Sequence, residues 1–467
     1  MKNKEVFEQD RGIYDIYDEL DYSGGLSLGL NEDIVREISK SKNEPNWLLD
    51  LRLEALKIFN ESKNPDWGPN LDEVDVNEVL LYIKPDVKKK RDWDELPEYI
   101  VDTFDRLGIP EAEKESLAGV SAQYDSEEVY HNVKEEFLKQ GIIYLDFDTA
   151  VKEHEELVKE YFSKNITPRL HKYAALHYAV FSGGSFVYVP DNIEASMPIQ
   201  SYYRLNAPGA GQFEHTLIIV GKNSSLHFIE GCSAPKYNEL NIHAGAVEIY
   251  VKENAHMKFS TIENWSKNMY NLNTKRAILE KDAKIEWISG SFGSKVSMLY
   301  PTSILKGDNS SSTYTGVTFA GEGQHIDNGC TAIHIGKNSS SIVNTKSIVK
   351  DGGMSTTRNI IRVQEGATGV KSNSDCDSLI LDNLSISDTI PVIDVMESDT
   401  DIGHEAKIGR IENDTIFYLM SRGLDEKEAK AMIVRGFASP ISKELPLEYA
   451  VELNNLINLE LEGHDGI

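Results

Sequence analysis

The sequence predicts a mainly β fold with helical ends: a parallel β-helix core flanked by N- and C-terminal helical domains. Three observations predict it. Long helical periodicity is confined to residues 1–165 and 406–467. Residues 166–405 carry short alternating runs rich in Val, Ile, Thr, Ser, Tyr and Phe, broken by Gly, Asn and Asp. Within that stretch a turn-then-strand phrase recurs: GKNSSLHF from 221, VKENAHMKF from 251, LEKDAKIEW from 279, LKGDNSSSTY from 305, GKNSSSIVNT from 336 and VQEGATGVKS from 363. A loose period with no strict consensus is the mark of stacked coils. Each phrase sets a polar turn before alternating apolar residues, such as Met257 and Phe259 or Ile285 and Trp287. Stacking would turn these inward and pair each strand with the coils above and below. A β-sandwich is the competing architecture.

In the N-terminal part, EPNWLLDLRLEALKIF has apolar residues at 48, 49, 51, 53, 56 and 59, with Pro45 at the start, and predicts a largely buried helix. Leu96–Leu107 is a second helix, stopped by Gly108 and Pro110. Ser126 is placed to cap a helix over 127–140 that Gly141 ends, and Asp148 to cap one over 149–162. After the core, Asp414 precedes TIFYLMSRG, closed by Gly423. Asp425–Glu428 forms a capping box before EAKAMIVRGF. Pro446 opens PLEYAVELNNLINLELEG, whose broad apolar stripe must lean on the β region or on a second protein.

Composition narrows the function. The 467 residues suffice for a large core, and 40% hydrophobic with 27% charged residues is a globular balance. The net charge is −28, of which residues 1–165, with 40 acidic and 21 basic side chains, carry −19. A nucleic-acid binder needs a basic face, so nucleic acid is not expected as a partner. The charged start MKNKEVFEQDRG holds no apolar signal segment, and no 18-residue apolar run spans a membrane, so a cytoplasmic protein with no membrane partner is expected. Three Cys, at 232, 330 and 376, are too few for a disulfide scaffold, and no CxxC pair marks a structural zinc. GxxxxGK[ST], GxSxG and HExxH are all missing, so the chain carries no nucleotide-binding loop of its own and is not expected to be an enzyme. Ser-Gly-Gly at 23–25 and 182–184 reads as turns.

Chemistry rests on a few positions. Cys376, in KSNSDCDSLILDN, precedes His404-Glu405 by 28 and 29 residues, one estimated repeat. A one-repeat offset sets residues on adjacent coils, about 4.8 Å apart. Thiolate, imidazole and carboxylate at that separation could hold iron or another transition metal. The alternative is an inert buried thiol beside a separate His–Glu pair at the end of the solenoid. Cys232 sits in FIEGCSAPKY, where Gly231 and Pro235 favour a bend that exposes the thiol. The alternative is a small buried residue. Cys330 reads as packing, with His334 on its own side of the strand and His325 on the other. Arg204 and Asn206 share a strand face, with Glu214 a candidate carboxylate for the arginine or the pair lining a polar channel. Trp265 and Lys275 read by default as core and surface residues.

EPNWLLDLRLEAL, NPDWGPNL, GQFEHTLIIV, EGCSAP, CDSLIL, GHEAKIGRI, FYLMSRGLDEKEAKAMIVRGF and ELPLEYA together resemble the SufB branch of the SufB/SufD family, scaffolds of SUF iron–sulfur cluster assembly. The phrases run nearly the full length in the family's order. The resemblance implies a right-handed β-helix with helical ends. It implies a C-terminal domain docked on a SufC-type ATPase, and a SufD-type paralogue or second SufB as partner. It also implies a cysteine desulfurase with a sulfur carrier, and apo-proteins as acceptors. Cys376, Glu405 and His404 then correspond to holders of a transient cluster, expected as 4Fe-4S, and Cys232 to the acceptor of persulfide sulfur. Arg204, Asn206, Trp265 and Lys275 correspond to a sulfur route, and a reduced flavin to an electron source on the complex. Glu263 departs from the glutamine of some members, so its carboxylate either repels a passing persulfide or helps bind iron. Two rival readings are a carbohydrate-active β-helix enzyme and a purely structural partner of an ATPase.

Overall fold

Asparagine sets the corners of this molecule. Asn223, Asn254, Asp282, Asn309 and Asn338 all adopt positive φ, between 52° and 57°, one in each of five of the recurring phrases. The left-handed region costs most side chains about 1–2 kcal/mol, and Asn and Asp tolerate it through local hydrogen bonds. The corner side chains also bond along the stack: Asn223 Nδ2 donates to Asn192 Oδ1 at 2.9 Å, and Asn254 Nδ2 to Asn223 Oδ1 at 2.9 Å. The phrase that recurs in the sequence is therefore one turn per coil.

The computed structural model describes residues 28–236, 238–443 and 447–462. Two sheets form the core, one of 10 strands and one of 14. The first, sheet A, contributes one strand to each coil, from Ile199–Arg204 to Thr400–Arg410. Its register aligns Ser225, His256, Lys284, Ser311, Ser340 and Lys371 on successive coils, all in parallel. Parallel pairing excludes the sandwich. Inside, Phe228, Phe259, Trp287 and Tyr314 stand in one column, with the Phe228 and Phe259 rings 5.6 Å apart and Phe259 5.4 Å from Trp287. Met257 and Ile285 are buried beside them, as the alternation requires. Each such side chain contributes roughly 1.5–3 kcal/mol on burial.

The two ends differ. At the N-terminal end, Gly119–Tyr124 joins sheet A in parallel and then pairs antiparallel with Glu127–Val133. Ile143–Asp146 caps the second sheet, sheet B, in the same antiparallel manner. At the other end, Thr400–Arg410 pairs with Val370–Ile380, and no other described strand pairs with its outer edge.

Several helices lie where the periodicity places them. Asn46–Glu61 packs on the buried helix Lys172–Val180. Its one buried cation, Arg52, is held by Glu44 at 2.6 and 2.8 Å and by the carbonyl of Phe181 at 2.9 Å. Glu98–Arg106 is helical, and Gly108 turns the chain at φ 73°. Pro110 does not stop a helix but sits in the first turn of the next, Ile109–Glu115. The helix expected over 127–140 is a correction: Glu127–Val133 is a strand, followed by the short helix Glu135–Lys139. Backbone pairing with Gly119–Tyr124 outweighs the helical propensity of the glutamates. The helix over 149–162 is two, Phe147–Glu153 and Glu155–Tyr161, broken at His154. Its cap is Asp146, which accepts from Thr149 N at 2.8 Å, whereas Asp148 pairs with the buried Lys42.

The capping box forms as expected: Glu428 N donates to Asp425 Oδ1 at 2.7 Å and Asp425 N to Glu428 Oε2 at 2.9 Å. The tail leans on the solenoid. Val434, Ala438, Leu453 and Ile457 pack on Ile262, Ile288, Val317 and Ile348, the outward residues of sheet A. The turn at 23–25 and the Pro446 start lie outside the described residues, while Gly183 and Gly184 do turn the chain, at φ 69° and 98°.

Candidate functional site

Cys232 is not exposed by its bend. It is 1% accessible, near the end of the strand Ser225–Ser233, under a cover made by Ile83, Leu205, Ala207, Ala210 and Trp265. A strap of the N-terminal region lies over this wall, with Leu80 N bonded to Gly209 O at 2.9 Å.

Around the thiol stands a dense set of charges. Glu214, Glu230, Glu263, His243 and Lys275 are all buried, and their neighbours explain how each is tolerated. Lys275, expected at the surface, is fully buried, ion-paired to Glu230 and 3.7 Å from Glu263 Oε1. Burial opposes its charge, but the two carboxylates outweigh that and raise its pKa. Glu214 lies not on Arg204 but on His243, with Oε1 2.6 Å from Nε2. Burial disfavours the imidazolium here, yet the Glu214 carboxylate holds the His243 pKa above its ordinary value. The Cys232 thiol is pushed well up, first by burial and then by Glu230, Glu214 and Glu263. It is a neutral thiol until a positive charge or a base reaches it.

Trp265 is core, as read, with its ring 4.6 Å from that of His243. Arg204 Nη1 donates to Ser233 Oγ at 3.1 Å, next to Cys232 in the chain. Asn206 lies beyond the end of its strand, its backbone N–H held by Asp125 Oδ1 at 2.6 Å. Cys232, Arg204, Asn206, Trp265 and Lys275 therefore fall in one neighbourhood at the N-terminal coils.

Cys376 lies at the far end. Register sets Glu230, Thr261, Ser289, Gly316, Thr345 and Cys376 in one inward column, and Cys232, Glu263, Ser291, Thr318, Ser347 and Ser378 in the next. Five steps of about 4.8 Å separate the Cys232 coil from the Cys376 coil, roughly 24 Å along the axis. Hydroxyl side chains fill most of that span.

Opposite, on sheet B, runs a chain of side-chain contacts: His243 Nδ1 to Asn271 Oδ1 at 2.8 Å, Asn271 Nδ2 to Ser297 Oγ at 3.4 Å, and Ser297 Oγ to Asn328 Oδ1 at 2.9 Å. Asn359 Nδ2 donates to Cys376 Sγ at 3.1 Å and to Ser374 Oγ at 3.1 Å. Burial raises the Cys376 pKa, and hydrogen bonds from Thr345, Ser374 and Asn359 oppose this. Cys330 packs in the interior, with His334 buried on its side and His325 half-exposed on the other.

The repeat linking Cys376 to its pair is 30 residues, not 28 or 29: Cys376 faces Ala406, Ser374 faces His404 and Asp375 faces Glu405. Strand alternation then divides the pair. His404 shares the inward face with Cys376, its Nδ1 3.1 Å from Ser374 O. Glu405 points outward, 59% exposed, and pairs with Lys407 at 3.1 Å.

Residues 39–201 match the SufBD protein N-terminal region, and residues 203–437 the SufBD core domain of SUF-system FeS cluster assembly. The chain belongs to the SufBD family. It is 49% identical, over 94% of both chains, to the iron–sulfur cluster assembly protein SufB of Bacillus subtilis. It is equally similar, over the same shares, to SufBD family proteins of Staphylococcus aureus and Staphylococcus haemolyticus. The function the family carries is iron–sulfur cluster assembly. Among the described residues of this SufBD chain no helix is long and apolar enough to cross a membrane.

Sequence reading passed over His243, Asn271, Glu230 and Asn359. One signal was available: His243 and Asn271 are 28 residues apart and prove to be register partners. Glu230 and Asn359 gave none, since one buried polar residue in a strand looks like any other.

Proposed function

We propose that this chain is the scaffold on which a labile iron–sulfur cluster is built, with sulfur received at Cys232 and the cluster held at Cys376. One observation carries the reading. The two cysteines stand at opposite ends of two adjacent inward columns of sheet A occupied mainly by Ser, Thr and Glu, while the neighbouring columns are apolar in the N-terminal coils and turn to serine toward Cys376. Polar donors are what a persulfide anion needs in a dry interior.

Sulfur arrives by exchange. The Cys232 thiolate attacks the outer sulfur of a carrier persulfide, a new S–S bond forms and the carrier leaves as its thiolate. Releasing that sulfur as sulfide takes two electrons and two protons, which a reduced flavin on the complex would supply. Arg204 and Lys275 offer positive charge along the first part of the route.

At the far end Cys376 and His404 supply ligands from the inward face. Glu405 joins them only when its Lys407 pair breaks and the edge strand turns. Docking of a SufD-type paralogue or a second copy on the open end would drive that turn. The end is suited to a partner: Leu384, Ile386, Ile393, Met396 and Ile408 are exposed there beside unpaired backbone. Mixed thiolate, imidazole and carboxylate ligation leaves the cluster transferable to apo-proteins. A SufC-type ATPase would dock on the C-terminal helices, where Phe417 is 73% and Tyr418 56% exposed.

Anaerobic reconstitution with iron and desulfurase-generated persulfide, with the partners co-expressed, tests the reading. A sulfide-to-iron absorption band should form on the wild type and vanish in Cys376→Ser, with iron and sulfide counts falling together. An equal band in both would move the cluster elsewhere. No band in either would leave a structural partner of an ATPase.

A further inference from the structure

The chamber around Cys232 holds more than a sulfur acceptor requires. Glu214, Cys232 and His243 come from three separate stretches: the residue before His215–Val220, the strand Ser225–Ser233 and the strand Asn241–His243. Their ligand atoms all lie within 4.8 Å of one another, and all three residues are buried. Among the described residues no other trio of His, Cys, Asp or Glu side chains meets that criterion. Cys376, His404 and Glu405 do not.

A second observation points to a cation. Glu214 Oε2 is a buried carboxylate oxygen that accepts no hydrogen bond, and Glu263 Oε1, which also accepts none, has the Lys275 ammonium 3.7 Å away. A buried acceptor left without a donor costs about 1–3 kcal/mol, more when it is charged. The interior thus keeps the Glu214 Oε2 atom without a donor beside a thiol and an imidazole.

A third is the support behind the histidine. Asn271 Oδ1 lies 2.8 Å from His243 Nδ1, and Asn271 Nδ2 donates to Glu263 Oε2 at 2.7 Å. An amide so anchored keeps its oxygen toward Nδ1, fixes the proton there and leaves Nε2 facing Glu214 and Cys232. That is the outer-shell arrangement by which proteins aim a histidine at a metal.

We propose that Glu214, Cys232 and His243 form a three-ligand site for a divalent first-row transition metal, with the fourth position open. The donor set decides the class of ion. Thiolate with imidazole selects against Mg2+ and Ca2+ and suits Fe2+, Co2+ or Zn2+. Three protein ligands with an open fourth is the pattern of reactive rather than structural sites. Ligands about 2.0–2.1 Å from one tetrahedral ion stand about 3.3 Å apart, so Nε2 and Oε1 must part from 2.6 Å. Cys232 binds as thiolate and His243 through Nε2, so the thiol proton and the proton that His243 shares with Glu214 both leave as the metal binds.

That the site binds metal stands apart from the scaffold reading; only the choice of Fe2+ as native occupant rests on it. One consequence follows for sulfur. A sulfur atom that holds metal is not free to attack a persulfide, so metal and sulfur compete for Cys232.

The test uses the full chain, metal-free and reduced under anaerobic conditions, titrated with Co2+. The wild type should show a thiolate-to-Co2+ charge-transfer band with the intense visible bands of four-coordination, absent in Cys232→Ser and intact in Cys376→Ser. Asn271→Ala should keep the thiolate band yet bind about 10–100-fold more weakly, the usual effect of losing an outer-shell partner. Zn2+ should displace Co2+, and Zn2+ or Fe2+ should slow alkylation of Cys232. Thermal unfolding checks each variant. Should Cys232→Ser not fold, His243→Gln replaces it, retaining a weakened charge-transfer band with altered visible bands. A band that survives in Cys232→Ser or disappears in Cys376→Ser would overturn the site, as would Asn271→Ala binding like the wild type. Failure here alongside a normal reconstitution at Cys376 would leave the scaffold reading standing.

Discussion

Replacing Lys275 by methionine removes the cation from between two buried carboxylates. Glu230 and Glu263 are both fully buried, and Lys275 is paired to one and 3.7 Å from the other. Methionine fills most of the volume, so the loss is chiefly electrostatic. Breaking a buried pair by deleting one partner costs about 3–5 kcal/mol, because the other charge stays buried without compensation. Urea unfolding followed by fluorescence reads this in the solenoid, where Trp265 and Trp287 lie. With a slope of about 3 kcal/mol per molar, the midpoint should fall by about 1–1.7 M.

The loss should also depend on pH. Glu230 already titrates above its ordinary value, raised by burial and held back by Lys275. Without Lys275 its folded pKa rises further. A carboxyl whose folded pKa is raised binds more protons in the native state, so stability is intact below the unfolded value and falls as pH climbs toward the folded one. The gap to wild type should therefore narrow toward pH 5 and widen toward pH 8. Adding Glu230→Gln should restore part of the loss. A gap under about 1 kcal/mol, or one constant with pH, would refute the reasoning.

Further outcomes are expected elsewhere. Glu248, buried against Tyr178 with its pKa raised by burial to about 7, should make the wild type lose stability relative to Glu248→Gln as pH rises from 4.5 toward that value, measured by paired denaturant melts. Thr345→Leu, in the column between the two cysteines, should leave persulfide loading at Cys232 intact and lower the sulfide recovered at Cys376, both read by mass spectrometry and sulfide assay. Phe417→Glu should abolish co-purification with the proposed SufC-type ATPase and leave the melting temperature within about 1–2 °C, since the ring is exposed. Asn223→Ala, at φ 55° in the corner ladder, should cost about 1–2 kcal/mol in urea unfolding, with Asn223→Gly costing less.

Much of the solenoid was legible because its signal is local. The corner asparagines and the alternation after them act within one coil, so GKNSSLHF and its kin announce both turn and inward face. Register is not local. A slip of one or two residues in the repeat leaves every phrase intact, yet it decides whether Cys376 meets Glu405 or Ala406. Glu127–Val133 failed for a related reason. Its helix-favouring glutamates are overruled by a partner strand that its own sequence does not contain. Cys232 and Cys376 were visible as residues, and the resemblance gave them roles. The chamber was not, since Glu214, Cys232 and His243 meet only once two successive coils have been stacked.

The inequality of the solenoid's two ends bears on how many copies can join. A coil stack open at both ends would accept a neighbour above and another below, and such head-to-tail contacts propagate into filaments. Here the antiparallel strands Glu127–Val133 and Ile143–Asp146 terminate one end. At the other end, among the described strands, Thr400–Arg410 of sheet A and Ile386–Thr389 and Val392–Val395 of sheet B are each paired on one side. An assembly that pairs these edges uses them up in both members at once, so it would close at two rather than propagate.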